Sequence, residues 1–233
     1  MAFNLESTTS DPIRETWLPI SQKKLAEYRL DFASRHRKLI SDNPNSPDLN
    51  FESDIDTPIL LNMKFFNTLI QQATLKHYFV AHFICDAADK NYKNLNIAIC
   101  IKEKGAGVNG NDEIRGKIYD VSGKLLEYNE FNQLRKNYDG RRKLISSNST
   151  AFSSDREGRA HEITESMQLV VNKIALKTEY MYVYFILDDY NEVKKNLSVA
   201  FSPVESTLTN ISLELAFDDD GDAYDHGGAC CPI

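Results

Sequence analysis

Tyr78–Ile99 reads YFVAHFICDAADKNYKNLNIAI, and Tyr180–Phe201 reads YMYVYFILDDYNEVKKNLSVAF. Phe83-Ile84 returns as Phe185-Ile186, Asp86 as Asp188, Lys93-Asn94-Leu95 as Lys195-Asn196-Leu197 and Ala98 as Ala200, all at one constant offset. A period near a hundred residues is too long for a solenoid repeat and fits a duplicated subdomain. Each copy reads as two apolar-rich strands around a polar turn, an antiparallel hairpin.

Outward from the hairpins, the same order of elements precedes each one. Leu25, Tyr28, Phe32 and Leu39 form the stripe of an amphipathic helix after the cap residue Ser21. A polar loop rich in Pro, Asn and Asp follows, and Asp56-Thr57-Pro58 then predicts the start of a second helix running to about Leu75. In the second copy, Tyr128–Ile145 and His161–Lys177 are the corresponding helices. The pentapeptide Arg37–Ser41 recurs as Arg142–Ser146. Each hairpin is followed by a third strand, Ile114–Val121 in one copy and Leu208–Phe217 in the other, and a short Leu125-Leu126 strand returns from the first. The expected fold is therefore α+β, with two pseudo-equivalent units, each helix-loop-helix followed by an antiparallel hairpin and a third strand. The units span residues 21–126 and 127–222, between a flexible N-terminal arm (1–20) and a flexible Cys-containing tail (223–233).

Side chains kept in both copies are expected to serve the shared fold. Phe79, Ala81, Phe83 and Cys85 share one face of the first strand, and Met181, Val183, Phe185 and Leu187 are their counterparts. Cys85 stands where the other copy has leucine, so it reads as a small core hydrophobe rather than a nucleophile. Tyr78, Val80, His82 and Ile84 lie on the opposite face, matched by Tyr180, Tyr182, Tyr184 and Ile186. With both faces apolar, helices are expected over one and the twin sheet over the other, the units packing about a pseudo-twofold axis. Alternatively, Tyr180, Tyr182 and Tyr184 with His82 form a binding surface, since tyrosine is favoured at interfaces.

The net charge of −7 over 233 residues argues against general attraction to nucleic acid or anionic lipid. No apolar run approaches the roughly 20 residues of a membrane span, and the N-terminus lacks the pattern of a signal peptide. The expectation is a cytoplasmic protein, in keeping with four cysteines that do not spell a disulfide framework. The acidic turn Phe217–His226 places Asp218, Asp220, Asp222 and Asp225 as candidate ligands for calcium, a hard cation needing several oxygens around a tight turn. It departs from an EF-hand loop, with Gly221 one place early and Ala229 where a bidentate glutamate belongs. A solvated Asp-Gly turn explains the same residues. Gly105–Gly110 spells GxGxxG but precedes a strand rather than a helix, and reads as a hairpin loop. The basic runs Arg35–Lys38 and Arg141–Lys143 lie near helix C-termini, where the dipole favours cations. His226, Cys230 and Cys231 fall short of a closed zinc site, and Cys230–Ile233 fits the prenylation template poorly because of Pro232.

Tyr184–Asp188, Leu197–Phe201, Asp218–Asp222 and Cys230-Cys231-Pro232 together resemble a loose group of small uncharacterised bacterial helix-plus-hairpin proteins with an acidic Gly turn and a Cys-Pro tail. The resemblance covers the second unit better than the first, and implies a bacterial cytoplasmic protein without supplying catalytic residues. The functional expectation is a non-catalytic binding or scaffold protein, using the inter-unit groove or the tyrosine-rich face to meet a protein or small-molecule ligand. The alternatives are a calcium-binding protein acting through 218–226 and an enzyme with a dispersed, motif-free site; homo-oligomerisation is left open.

Overall fold

The computed structural model describes residues 18–45, 53–86, 94–103, 116–148, 157–188, 196–205, 223–225 and 228–229. The third strand expected at Leu208–Phe217 and the glycine loop 105–110 lie outside them. The chain forms a mixed α/β fold of two antiparallel sheets with four helices of ten residues or more among the described residues. In order these are β1 (Leu18–Ile20), α1 (Gln22–Asp42), the single turn α2 (Ser53–Asp56), β2 (Ile59–Asn62), α3 (Met63–Gln72), β3 (His77–Cys85), β4 (Leu95–Glu103), β5 (Ile118–Tyr119) and β6 (Leu125–Leu126). Then come α4 (Tyr128–Asn148), β7 (Gly158–Glu162), α5 (Glu165–Ala175), β8 (Tyr180–Asp188), β9 (Asn196–Ser202), β10 (Ala223–Asp225) and β11 (Gly228–Ala229).

The two long hairpins carry identical registers. His82 faces Ala98 across β3–β4, and Tyr184 faces Ala200 across β8–β9, each residue displaced by the same 102 positions. What the periodicity does not reveal is a short strand ahead of each central helix. The expected helix from Asp56 begins only at Met63, capped by Asn62, whose side chain accepts from Phe65 N–H at 3.0 Å. Ile59–Asn62 instead pairs with β8. Likewise His161–Glu162 belongs to β7, and α5 starts after Thr164, which accepts from Met167 N–H at 3.1 Å. The physical reason is that extended backbone at these places finds a ladder partner far along the chain, which local propensity cannot register.

These short strands cross over. β2 pairs with β8, and β7 pairs with β3, so each hairpin takes its extra strand from the other half of the chain. The sheet orders are β1-β10-β9-β8-β2 and β11-β7-β3-β4-β5-β6. Ile59 faces Val183 and Arg159 faces Ala81, so the hairpin residue is displaced by 102 positions and its crossing partner by 100. The long helices cross over as well: α1 packs on β8 and α4 on β3. Leu18–Ile20 and Ala223–Asp225, expected in the loose arm and tail, pair with each other, and Gly228-Ala229 pairs with β7.

The inner faces of both sheets meet in one core. Phe79, Ala81, Phe83 and Cys85 join Met181, Val183, Phe185 and Leu187 there, closed by Met63, Phe66 and Ile70 of α3 and Met167, Val171 and Ile174 of α5. Phe83 and Phe185, which occupy matching places in the two hairpins, touch edge to face at 5.8 Å between centroids. Phe32 of α1 lies against Phe185 at 6.2 Å, and Tyr138 of α4 against Phe83 at 5.7 Å. The helices therefore correspond as Phe32 to Tyr138, one residue away from the offset at which the pentapeptide Arg37–Ser41 recurs. Leu39 and Ile145 share a small apolar cluster while Leu144 only flanks it, in keeping with the packing offset.

The outer faces are covered by helices. Phe131 packs over Val80, Ile84 and Ala98, and Leu25 and Tyr28 pack in one cluster with Tyr184, Ile186 and Ala200. Gly158 opens β7 where a Cβ would lie 2.4 Å from the Ala81 carbonyl oxygen, a distance no side chain tolerates. Gly158→Ala is expected to weaken the crossed-over strand and lower the free energy of unfolding in urea by about 1–3 kcal/mol, as for other overpacked sites. Phe185→Ala removes the ring that joins Phe83 and Phe32, and is expected to cost about 3–5 kcal/mol in the same measurement. A change below about 1 kcal/mol for Phe185→Ala would contradict the central placement of this contact.

Candidate functional site

The structure separates the four residues expected to form a binding surface. Tyr184 is buried beneath α1, with the Arg29 guanidinium 4.0 Å from its ring centroid. His82 is fully buried beneath α4, its ring 5.3 Å from that of Phe131 and its Nε2 3.5 Å from Cys100 Sγ. Tyr182 is half-buried and stacks on Tyr184, and Tyr180 is exposed. Only Tyr180 and part of Tyr182 therefore meet solvent. Burial, then the positive charges of Lys102 and Arg135, hold the His82 imidazole down at about 3.

Cys85 is buried in the core, as its leucine counterpart suggests, and burial pushes its thiol up to about 12. That thiol is inert as a nucleophile near neutral pH. Asp218, Asp220 and Asp222 lie outside the described residues, and of Asp225 only the backbone is described, opposite Leu18. Among the described residues no group of three or more His, Cys, Asp or Glu side chains is placed to hold a metal ion. Nor is any helix there long and apolar enough to cross a membrane.

Two polar features that the sequence does not announce lie at the seam between the halves. One is a buried ion pair. Arg141 of α4 donates from Nη1 to Asp54 Oδ2 at 2.5 Å, with both side chains only 2 % exposed. Asp54 Oδ1 also accepts from Leu95 N–H at 2.9 Å, so a carboxylate from the first half ties the start of β4 to the helix of the second. His36 of α1 faces the same place across a void of about 10 Å³, room for about one water molecule. Its imidazole is held well below its ordinary value by burial, then by the Arg141 and Arg35 charges. A pair so thoroughly desolvated fixes geometry more than it adds net stability.

The other is an open cleft of about 250 Å³. Phe83 of β3 and Tyr138 of α4 form its floor, and Asn132, Arg135, Lys136 and Asp139 form one wall. That wall is a helical face, its members three, four and seven residues from Asn132. Glu157 closes the opposite side. It is positioned by its own backbone, since Glu157 C=O accepts from Phe83 N–H at 2.8 Å just before β7 joins β3. The Glu157 carboxylate is gripped by Arg135 and lies 3.9 Å from Arg142. Asp139 is held by Arg142 at 2.9 Å and Lys143 at 2.8 Å. Hydrogen bonding from Lys143 is the leading cause that keeps the Asp139 carboxyl below its ordinary value. The spacing of Asn132, Arg135 and Asp139 was visible as a polar helix face. Nothing in the sequence pairs Glu157 with a residue 22 places earlier.

Set against known protein families, curated proteins and solved structures, the chain matches none.

Two outcomes follow from the buried polar groups. Arg141→Met is expected to destabilise the fold by about 3–5 kcal/mol in urea at pH 7, because Asp54 is left charged and buried. Adding Asp54→Leu to Arg141→Met is expected to recover a substantial part of that loss, and a double variant weaker than the single would overturn the reading. His82, whose folded-state value of about 3 lies below the unfolded 6.5, contributes stability that is present above pH 6.5 and lost as pH falls toward 3. His36 adds in the same direction. His82→Leu is therefore expected to flatten the acid limb of stability between pH 6.5 and 4, by up to about 1.4 kcal/mol per pH unit. Unfolding curves of equal pH slope in the two proteins would show that the histidine is not buried neutral.

Proposed function

We propose that the chain is a duplicated α+β protein, its two pseudo-equivalent units fused about a twofold axis, and that it works as a non-catalytic binding or scaffold protein through a groove between them. The matched registers of β2–β8 and β7–β3 and the contact of Phe83 with Phe185 support the duplication. The observation that carries the binding role is the cleft under α4. Its floor includes Phe83 from the first unit, while its walls and Glu157 come from the second, so it exists only in the assembled pair. It is concave, has an aromatic floor and converging polar groups, the features by which small-ligand sites are recognised. The tyrosine face offers less, since Tyr184 and His82 are covered. No catalytic set is nominated: the buried cysteine has a raised thiol, and the cleft carboxylates are tied up by arginine and lysine.

The test is a backbone-amide NMR screen against small aromatic fragments of neutral, cationic and anionic kinds. Binding is expected to move the amides of 132–139 and Glu157 while leaving the surface of α1 at rest. If fragments of all three kinds leave 132–139 and 157 unmoved at about 10 mM, the weakest affinity worth the name, the cleft is not a binding site.

A further inference from the structure

Resting on the reading of this cleft as the binding groove, we propose that its ligand is a small anion, a molecule bearing a carboxylate or phosphate group on a planar or apolar body. Arg135 and Lys136 would receive the anionic group, over the floor that Phe83 and Tyr138 make.

Charge makes the first argument. The cleft is lined by two cations, Arg135 and Lys136, and two carboxylates, Asp139 and Glu157, with Arg142 and Lys143 behind the carboxylates as their partners. The lining is thus balanced in a chain that carries −7, and each of its carboxylates is already held by a cation. Lys136 is exposed on the cleft wall and makes no ion pair among the described residues.

The state of the carboxylates makes the second. Glu157 is gripped by Arg135 and approached by Arg142, and Asp139 is held by Arg142 and Lys143. A cationic ligand would have to displace cations already tethered to the same helix. An anionic ligand needs only to share or replace the Glu157 carboxylate, which already marks where an anion sits between two guanidinium groups. Glu157 is 19 % exposed and Arg135 29 %, so the pair is reachable from solvent. Guanidinium groups suit the task because their planar fork matches carboxylate and phosphate oxygens.

Size and floor make the third. A volume of about 250 Å³ is below the roughly 300–1,000 Å³ of sites for drug-sized molecules, so the occupant is small. Phe83 and Tyr138 meet edge to face at 5.7 Å beneath it, both nearly buried, and close its base with an apolar surface.

The experiment titrates the full chain, followed by amide NMR at low salt, with four probes of one shape: phenyl phosphate, benzoate, benzyl alcohol and benzylamine. Phenyl phosphate, benzoate or both are expected to saturate shifts at 132–139 and 157, with the neutral probe at least about tenfold weaker and the cation inactive. The anion that binds more tightly identifies the head group as phosphate or carboxylate. Raising the salt is expected to weaken anion binding, as screening requires. Lys136→Gln, an exposed change that spares the fold, is expected to cost at least about threefold in anion affinity, and Arg135→Gln about tenfold. Benzyl alcohol or benzylamine binding as tightly as the anions would overturn the anion assignment while leaving the cleft a binding site. Anion shifts unchanged in Lys136→Gln would also overturn it. Failure of all four probes would remove both the assignment and the binding reading.

Discussion

The structure depends on an exchange: β2 of the first half completes the β8–β9 hairpin, and β7 of the second half completes the β3–β4 hairpin. Each crossing strand is followed at once by the helix that packs in the core, α3 or α5, and preceded by the long helix that covers the other hairpin's outer face. A four-residue or five-residue strand contributes little burial by itself. Its effect is to commit the flanking helices to the far sheet, so that α3 and α5, packed on each other, close the core between the sheets. Gln71 and Gln168 seal that helix pair, Gln71 donating to Gln168 C=O and Gln168 donating to Ile70 and Ala73 C=O. The Gln168 amide thus serves carbonyls at the C-terminal end of α3, where the helix itself leaves acceptors to be satisfied.

The same exchange accounts for where the polar groups are buried. Asp54 sits just ahead of β2 and Glu157 just ahead of β7, the points at which the chain passes from one half to the other. Each is met by an arginine of α4, Asp54 by Arg141 and Glu157 by Arg135. The first is sealed and the second is open to solvent, which separates an interaction that orders the seam from one that a ligand can reach. In α1, the place 106 residues before Arg135 is held by Arg29, which lies over the Tyr184 ring.

Much of this was legible in the sequence because hairpins of alternating pattern carry their own register. Phe83 and Phe185 could be matched at once, and the cap residue Ser21, whose side chain accepts from Lys24 N–H, could be named. The crossing strands could not. Ile59, Met63, Phe66 and Ile70 keep helical spacing straight through the junction, so periodicity alone runs strand and helix together. Arg159 and His161 in β7 are polar yet buried, both paired against β3, with the Phe79 and Phe201 rings lying against His161. The pentapeptide Arg37–Ser41 recurs at an offset of 105, whereas Phe32 and Tyr138, which take like places against Phe185 and Phe83, lie 106 apart. The cleft was hidden for the same reason as the strands: one of its walls is brought by a pairing some eighty residues distant.

The order in which the chain leaves the ribosome gives the crossed strands a further meaning. When β3 and β4 have emerged, the strand that flanks β3 has not been made, and one edge of a hairpin that is apolar on both faces waits uncovered. Long-range pairing of this kind forms late and slowly, since the intervening chain must close before any contact rewards it. An uncovered hairpin edge is the feature that promotes association between nascent chains. Synthesis of this chain therefore carries a vulnerable interval that lasts until Gly158–Glu162 has emerged to cover that edge.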